Sequence, residues 1–297
     1  MKKNTVFKGA ATALVTPFKN NEVDYDALEK LIESQIRSGI DSIVICGTTG
    51  ESSTLTDEEH RSVIEFTVKK AAKRIPIIAG TGSNDYAYAI DLSQHACEVG
   101  ADALLHVTPY YNKASQAGLV KYFSKIADNV SKPVILYNVP SRTGCNIGID
   151  AYKELAQHPN IVATKEASGD VSFITKVIRA VGDNMTVYSG NDDQIVPLMS
   201  LGAQGVISVL SNIAPEATVE MTHACLDGDF RRGAALQLEY LDLINALFMT
   251  VNPIPVKVAM SMLGICEDEL RLPLCTMSEA ENEKLRKVLQ EYGGRIR

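Results

Sequence analysis

The sequence lacks the spacings that would mark several common kinds of protein. Its six cysteines, Cys46, Cys97, Cys145, Cys225, Cys266 and Cys275, form no C-x-x-C pair and no zinc-like array, and its five histidines never fall in H-E-x-x-H. A protein-built metal site is therefore not expected, and the thiols read as reduced. No apolar run approaches the roughly 18 residues that span a bilayer. The opening Met1-Lys-Lys-Asn-Thr-Val-Phe7 has no apolar segment behind its lysines, so a signal peptide is not expected and the chain reads as cytoplasmic. The net charge of −7 argues against a nucleic-acid partner, which usually meets a basic face. Gly47-Thr-Thr-Gly50 and Gly80-Thr-Gly-Ser-Asn-Asp85 both fall short of G-x-G-x-x-G, so neither reads as a dinucleotide fingerprint.

What remains is an ordinary globular composition, 45% hydrophobic and 22% charged over 297 residues. About eight short apolar or β-branched runs recur, each bounded by Gly, Pro, Asn or Asp. They are Ala10–Thr16, Ser42–Cys46, Pro76–Gly80, Ala103–Thr108, Pro133–Asn138, Ile161–Lys165, Met185–Ser189 and Gly205–Val209. Amphipathic segments such as Asp24–Ser38, Glu58–Lys73, Gln116–Asn129 and Asp170–Val181 separate them. Thr56-Asp-Glu-Glu59 carries the S/T-x-x-E capping box at a helix start, and Gly39, Gly100 and Gly182 stand where helices should end. Near-continuous apolar strands alternating with helices imply a parallel sheet covered outside. The pattern predicts an α/β fold, a (β/α)8 TIM barrel with a C-terminal helical appendage, with an open doubly wound sheet as runner-up. Alternation stops near Gly228, which divides the chain into a barrel over 1–228 and a helical domain over 229–297. In the latter, Phe230–Phe248, Val256–Leu263 and Ser278–Tyr292 read as helices.

In such a barrel the reactive groups stand at the C-terminal ends of the strands. That rim collects Cys46-Gly-Thr-Thr-Gly-Glu51, Thr108-Pro-Tyr-Tyr-Asn112, Tyr137-Asn-Val-Pro-Ser-Arg-Thr-Gly144, Lys165-Glu166, Ser189-Gly-Asn191 and Ile207. It is rich in hydroxyls and poor in carboxylates, which disfavours metal hydrolases and paired-carboxylate glycosidases. One lysine at a strand tip among hydroxyls suits a Schiff-base enzyme. Alternation puts Ile161, Ala163 and Lys165 on one face, with small Ala163 leaving room below the amine, and Ile135 with Tyr137 on the matching face next door. Strands about 4.8 Å apart would let Tyr137 and Lys165 meet, and burial would lower the lysine pKa. The same alternation aims Glu166 away, which leaves it a supporting role.

Taken singly, each of these residues has a plainer explanation. Lys165 could be a solvated strand end, Tyr137, Tyr110 and Tyr111 core or interface aromatics, Thr48 and Thr49 turn hydroxyls, and Arg142 a loop charge. His106, inside an apolar strand, reads as a satisfied structural histidine. The functional reading rests on their falling together on one rim.

The same residues resemble the dihydrodipicolinate synthases, within the pyruvate-dependent N-acetylneuraminate lyase superfamily. The resemblance runs through Gly9–Phe18, Gly47-Thr-Thr-Gly-Glu-Ser52, Thr108-Pro-Tyr-Tyr-Asn-Lys113, Tyr137–Gly144, Lys165-Glu166, Ser189-Gly-Asn-Asp192, Gly205-Val-Ile-Ser208 and Asn252-Pro-Ile-Pro-Val-Lys257. The Thr-Thr pair with Pro-Ser-Arg-Thr-Gly distinguishes this family within the superfamily. The resemblance implies that Lys165 forms a Schiff base with pyruvate, that Tyr137 is the general acid/base and that Thr48 and Tyr111 continue a proton relay. It implies that Thr49 and the backbone at Ile207 hold pyruvate, that Gly190 lines the site and that Arg142 grips the carboxylate of L-aspartate semialdehyde. No cofactor is implied beyond the covalent Schiff base. The tyrosine matching Tyr111 enters from a neighbouring subunit in the family, which implies a homo-oligomer, a dimer at least and usually a tetramer.

A regulatory lysine site is implied at Ser52, Ser53, His60, Asn84 and Tyr110. However, Asp57 stands where sensitive enzymes commonly have histidine, and Tyr88 where they have glutamate, so weak or absent lysine feedback is expected. The expected reaction is condensation of pyruvate with aspartate semialdehyde to 4-hydroxy-tetrahydrodipicolinate, the first committed step toward diaminopimelate and lysine. A related pyruvate-dependent aldolase acting on neuraminate or a keto-deoxy sugar acid is the runner-up. A catalytically silent, metabolite-binding barrel is the third reading, and the intact set of matched positions speaks against it.

Overall fold

A computed structural model describes residues 3–296. Eight of its strands form a closed, all-parallel barrel. These are β1 (Gly9–Ala13), β2 (Ser42–Ile45), β3 (Ile77–Gly80), β4 (Ala103–Val107), β5 (Val134–Asn138), β6 (Ile161–Glu166), β7 (Thr186–Ser189) and β8 (Gly205–Ser208). Each pairs with its neighbours in sequence, and β8 closes on β1 with Ala10 beside Val206 and Ala11 beside Ile207. The open-sheet alternative is thereby excluded. Expected strand boundaries hold to within a few residues, and the Thr56 capping box forms, with Glu59 N–H donating to Thr56 Oγ1 at 3.2 Å and Thr56 N–H to Glu59 Oε2 at 2.9 Å.

The strand residues divide between two apolar layers, as a period of two requires. Ile43, Ile45, Leu104, Leu136 and Val206 pack outward under the helices. Ala11, Val44, Ile78, Leu105, Ile135 and Ile207 fill the barrel. Phe7 joins the inner layer and stacks on Tyr188 with ring centroids 4.2 Å apart.

Strand β6 corrects one expectation. Val134 pairs with Ile161 but Ile135 pairs with Ala163, so the register shifts and Val162 is an extra residue. This bulge sends Ile161 into the outer layer while Ala163 stays inside. Ala163 and Lys165 share the inner face; Ile161 does not. Period-two alternation cannot foresee an inserted residue, because the insertion inverts everything on one side of it.

Beyond the barrel, the expected Phe230–Phe248 helix is two helices, Phe230–Glu239 and Leu241–Ala246. The Tyr292 hydroxyl inserts at the break. It donates to Glu239 O at 2.9 Å and accepts from Leu243 N–H at 3.3 Å, the two groups that would otherwise bond each other across one helical turn. Helices Ile254–Met262 and Glu279–Tyr292 complete the chain's C-terminal part. Their apolar residues, among them Val256, Val258, Leu285 and Leu289, belong to the same continuous core as the layer outside the barrel. Among the described residues no helix is long and apolar enough to cross a membrane.

Candidate active site

The C-terminal tips of β5, β6 and β7 place three side chains in one row. Tyr137 pairs with Lys165, and Lys165 pairs with Tyr188. Partners in a parallel register point to the same face, so tyrosine and lysine meet inside the barrel. Lys165 is 6% exposed, and its Nζ lies 4.5 Å from the centre of the Tyr137 ring. Burial lowers the lysine pKa to about 8; the charge of Asp192 partly restores it, and that of Arg142 lowers it further. Roughly a tenth of the amine is then neutral at pH 7, against roughly one part in 3,000 for an ordinary lysine.

Room for that amine comes from a glycine. A Cβ on Gly190 would stand 2.6 Å from Ala167 Cβ and 3.1 Å from Lys165 Cε. The Gly190 N–H is used as well, donating to Glu166 O at 2.8 Å and fixing the β7 tip against the end of β6.

The Tyr137 phenol lies beside the Thr48 side chain, which favours its ionised form. Burial raises its pKa, while Arg142 and Thr48 pull it back down. Thr48 and Thr49 lie in the turn after β2, which opens at Cys46 (φ +55°) and ends at Glu51 (φ +54°). Gly80 of β3 allows this turn, because a Cβ there would come within 2.2 Å of Cys46 O. The far end is held by charge. Lys257 Nζ donates to Glu51 Oε1 at 2.7 Å and to Thr16 O at 3.0 Å, with both side chains of the ion pair fully buried. Lys257 and Arg271 stack on the Phe18 ring at 4.3 and 4.4 Å.

Arg142 sits in a short helix, Pro140–Thr143, directly after β5. It is exposed at the rim, and its Nη2 donates to Asn252 O at 3.0 Å. Asn252 in turn donates from Nδ2 to Thr49 Oγ1 at 3.0 Å. A cavity of about 880 Å³ opens over this rim, with Thr48, Arg142 and Asn252 in its lining. Lys165 and Tyr137 do not line it themselves; Thr48 stands between, facing the cavity and adjoining the phenol.

The structure thus gathers Lys165, Tyr137, Thr48, Thr49, Arg142 and Gly190, with Ile207 at full burial in the inner layer. Tyr111 stands apart in exposure, at 94%, with φ +66°. Glu166 points away from the amine and is buried among Tyr152 Oη at 2.8 Å, Asn138 Nδ2 at 3.0 Å and the Ser168 N–H at 3.0 Å. His106 is structural but satisfied on one side alone. Its Nε2 meets Thr81 and Ser93 hydroxyls at 3.2 Å, Nδ1 has no partner, and burial pushes its pKa down to about 3. Among the described residues no group of three or more His, Cys, Asp or Glu is arranged to hold a metal ion.

The profile of the Dihydrodipicolinate synthetase family matches residues 6–292. The chain belongs to the dihydrodipicolinate synthetase family. A 4-hydroxy-tetrahydrodipicolinate synthase of Acetivibrio thermocellus is 52% identical over 98% of this chain and 99% of its own length. The crystal structure of dihydrodipicolinate synthase from Aquifex aeolicus superposes with a TM-score of 0.95 at 49% identity, covering 98% of this chain and 100% of that one. The chloride-inhibited enzyme from Acinetobacter baumannii, complexed with pyruvate, superposes with a TM-score of 0.95 at 46% identity, covering 97% and 99%.

Two features of this family member were not legible as site features. Asn252 had shown itself as part of a matching motif and a helix break, with nothing to say that it bridges Thr49 and Arg142. Asp192, fully buried and electrostatically coupled to Lys165, accepts from the Val209 and Leu210 amides at 2.9 and 3.0 Å. Both contacts join segments far apart in sequence, so no local spacing signals them.

The positions implied for a regulatory lysine lie partly on the same cavity, which Ser52, Ser53, His60 and Tyr110 line. Asn84 lies beside them, exchanging hydrogen bonds of 2.8 Å with the Tyr110 backbone. Here the two departing residues are bonded to each other. Tyr88 Oη donates to Asp57 Oδ1 at 2.9 Å, and Arg61 Nε donates to Asp57 Oδ2 at 2.9 Å. His60 Nε2 is engaged by Gly80 O at 2.8 Å, and burial lowers its pKa.

Proposed function

We propose that this protein is a 4-hydroxy-tetrahydrodipicolinate synthase, a lyase of class I aldolase type acting in lysine and diaminopimelate biosynthesis. The observation that carries the reading is the buried Lys165 amine, its pKa near 8, facing the Tyr137 ring at a barrel rim. Family membership and the names of its close relatives support it.

In this reading the neutral Lys165 amine attacks the C2 carbonyl of pyruvate, and the carbinolamine loses water to give an iminium. Loss of a C3 proton gives the enamine, whose C3 attacks the aldehyde carbon of aspartate semialdehyde. That bond formation leaves a hydroxyl at the former aldehyde. The semialdehyde's own amine then adds to the imine carbon, closing the ring and expelling Lys165. Each proton transfer needs a donor or acceptor within reach. Tyr137 supplies it, and Thr48 relays protons toward the cavity. Thr49 and the Ile207 backbone hold pyruvate, Gly190 lines the site and Arg142 binds the semialdehyde carboxylate. No cofactor takes part beyond the covalent adduct.

Tyr111 completes the relay in a neighbouring copy of the chain, which accords with its 94% exposure here. The working enzyme is then a homo-oligomer, a dimer at least and a tetramer by family habit, residing in the cytoplasm. Residues 1–228 form the catalytic barrel, and 229–297 the helical domain that supports it.

Borohydride reduction in the presence of pyruvate tests the mechanism, with the adduct mapped by mass spectrometry. Absence of an adduct on Lys165 rejects the Schiff base. An adduct without turnover of aspartate semialdehyde rejects the substrate.

A further inference from the structure

The segment between helices Leu241–Ala246 and Ile254–Met262 brings Asn252 against two residues given substrate contacts above. Its side chain meets Thr49, and its main-chain carbonyl meets Arg142. Asn252 is 6% exposed, and its Oδ1 is buried without a protein partner. A buried, half-satisfied amide costs stability, and an apolar side chain of similar size would avoid that cost. Stability does not account for the residue.

The direction of its hydrogen bond does. A threonine hydroxyl has a single proton. Because Asn252 presents N–H, Thr49 Oγ1 accepts, and the Thr49 proton stays available for another acceptor. An acceptor at position 252 would take that proton and leave lone pairs facing the site. A substrate carboxylate offers acceptors alone, so it is bound in the first arrangement and repelled in the second. Arg142 is held differently, through the Asn252 backbone, which any side chain at 252 retains.

We propose that Asn252 is a positioning residue that fixes the Thr49 hydroxyl as a donor toward the carboxylate of pyruvate. The proposal rests on the function inferred above. It gives the C-terminal helical domain a part in substrate affinity.

The test measures borohydride trapping on Lys165 as a function of pyruvate concentration, with KM for both substrates, kcat and Tm. The variants are N252D, N252A, T49V and T49V/N252D. Aspartate matches asparagine in size but offers only acceptors. For N252D we expect half-maximal trapping to need about tenfold more pyruvate, with the maximal trapped fraction near wild type and Tm lowered by the cost of a buried carboxylate. The semialdehyde KM should change by less than about threefold, since the backbone tie to Arg142 persists. In the T49V background, N252D should add less than about twofold. An effect that persists in full in that background is direct charge repulsion and overturns the proposal. So does half-maximal trapping within twofold of wild type in N252D. If N252D folds poorly, N252A carries the test, with about a threefold or larger rise expected that vanishes in the T49V background. No adduct in the wild type rejects the parent reading as well, whereas an adduct at wild-type affinity in N252D rejects this inference alone.

Discussion

Lys165 Nζ faces the Tyr137 ring at 4.5 Å, from the adjoining register position on the neighbouring strand. The two are therefore fixed by the same ladder that closes the barrel, and neither relies on a flexible loop. Burial acts on both in opposite senses. It lowers the amine toward neutrality and raises the phenol away from ionisation, which enlarges the neutral, nucleophilic fraction of the amine and keeps the phenol protonated.

The amine predicts a pH signature. The lysine pKa falls from 10.5 in the unfolded chain to about 8 in the fold, so between those values the unfolded state binds more protons. Stability from this group should rise with pH across that window and be constant below it. Below pH 8 burial of the ammonium costs about 3 kcal/mol. K165M should thus abolish borohydride trapping and, at pH 7, unfold at a higher denaturant concentration than wild type. In the wild type, the rate of adduct formation should climb through pH 8 and then level off. An unchanged or lower unfolding midpoint for K165M would show that the amine is not held at a cost.

Tyr137 should matter to rate and little to folding. Y137F keeps the ring beneath the ammonium and removes the hydroxyl beside Thr48. A loss of about 10²–10⁴ in kcat is expected, the usual worth of a positioned acid/base, with Tm within a few degrees of wild type. T48V should cost less, because it breaks the relay one step further out. Steady-state assays with thermal melts decide both.

The Lys257–Glu51 pair ties the helical domain to the turn carrying Thr48 and Thr49, and both side chains are fully buried. K257M leaves an uncompensated carboxylate and should destabilise by about 3–5 kcal/mol. K257M/E51L removes both charges and should recover most of that loss in chemical denaturation. Activity should not recover in parallel, because the turn loses its anchor.

Feedback by lysine should be weak. A ligand ammonium needs a free carboxylate, yet Asp57 already accepts from Tyr88 and from Arg61, whose guanidinium also adds like charge nearby. Salt-bridged in this way, Asp57 has its pKa lowered, and the Tyr88 phenol is raised to about 12, mainly by burial. Activity should be unchanged at micromolar lysine, and D57H/Y88E should gain sensitivity. Inhibition of the unaltered enzyme at micromolar lysine would contradict the prediction.

Much of this protein was legible in sequence because its signals are local. Eight buried runs between amphipathic segments specify strands and helices through side-chain periodicity, and parallel strands joined by helices admit few topologies. Lys165, Tyr137, Thr48 and Arg142 could be named because a barrel presents strand ends on one rim, so position along a strand stands for position in space. Tertiary structure decided whatever depends on distant segments or on single inserted residues. The Val162 bulge moved Ile161 to the outer layer, and the Tyr292 hydroxyl divided a helix that periodicity read as continuous. The bonds from Asn252 to Thr49 and from Lys257 to Glu51 span about 200 residues, and only the folded chain brings them within 3.0 Å. Hydrogen bonds and ion pairs act at contact distance and leave no period in the sequence, whereas hydrophobic patterning does.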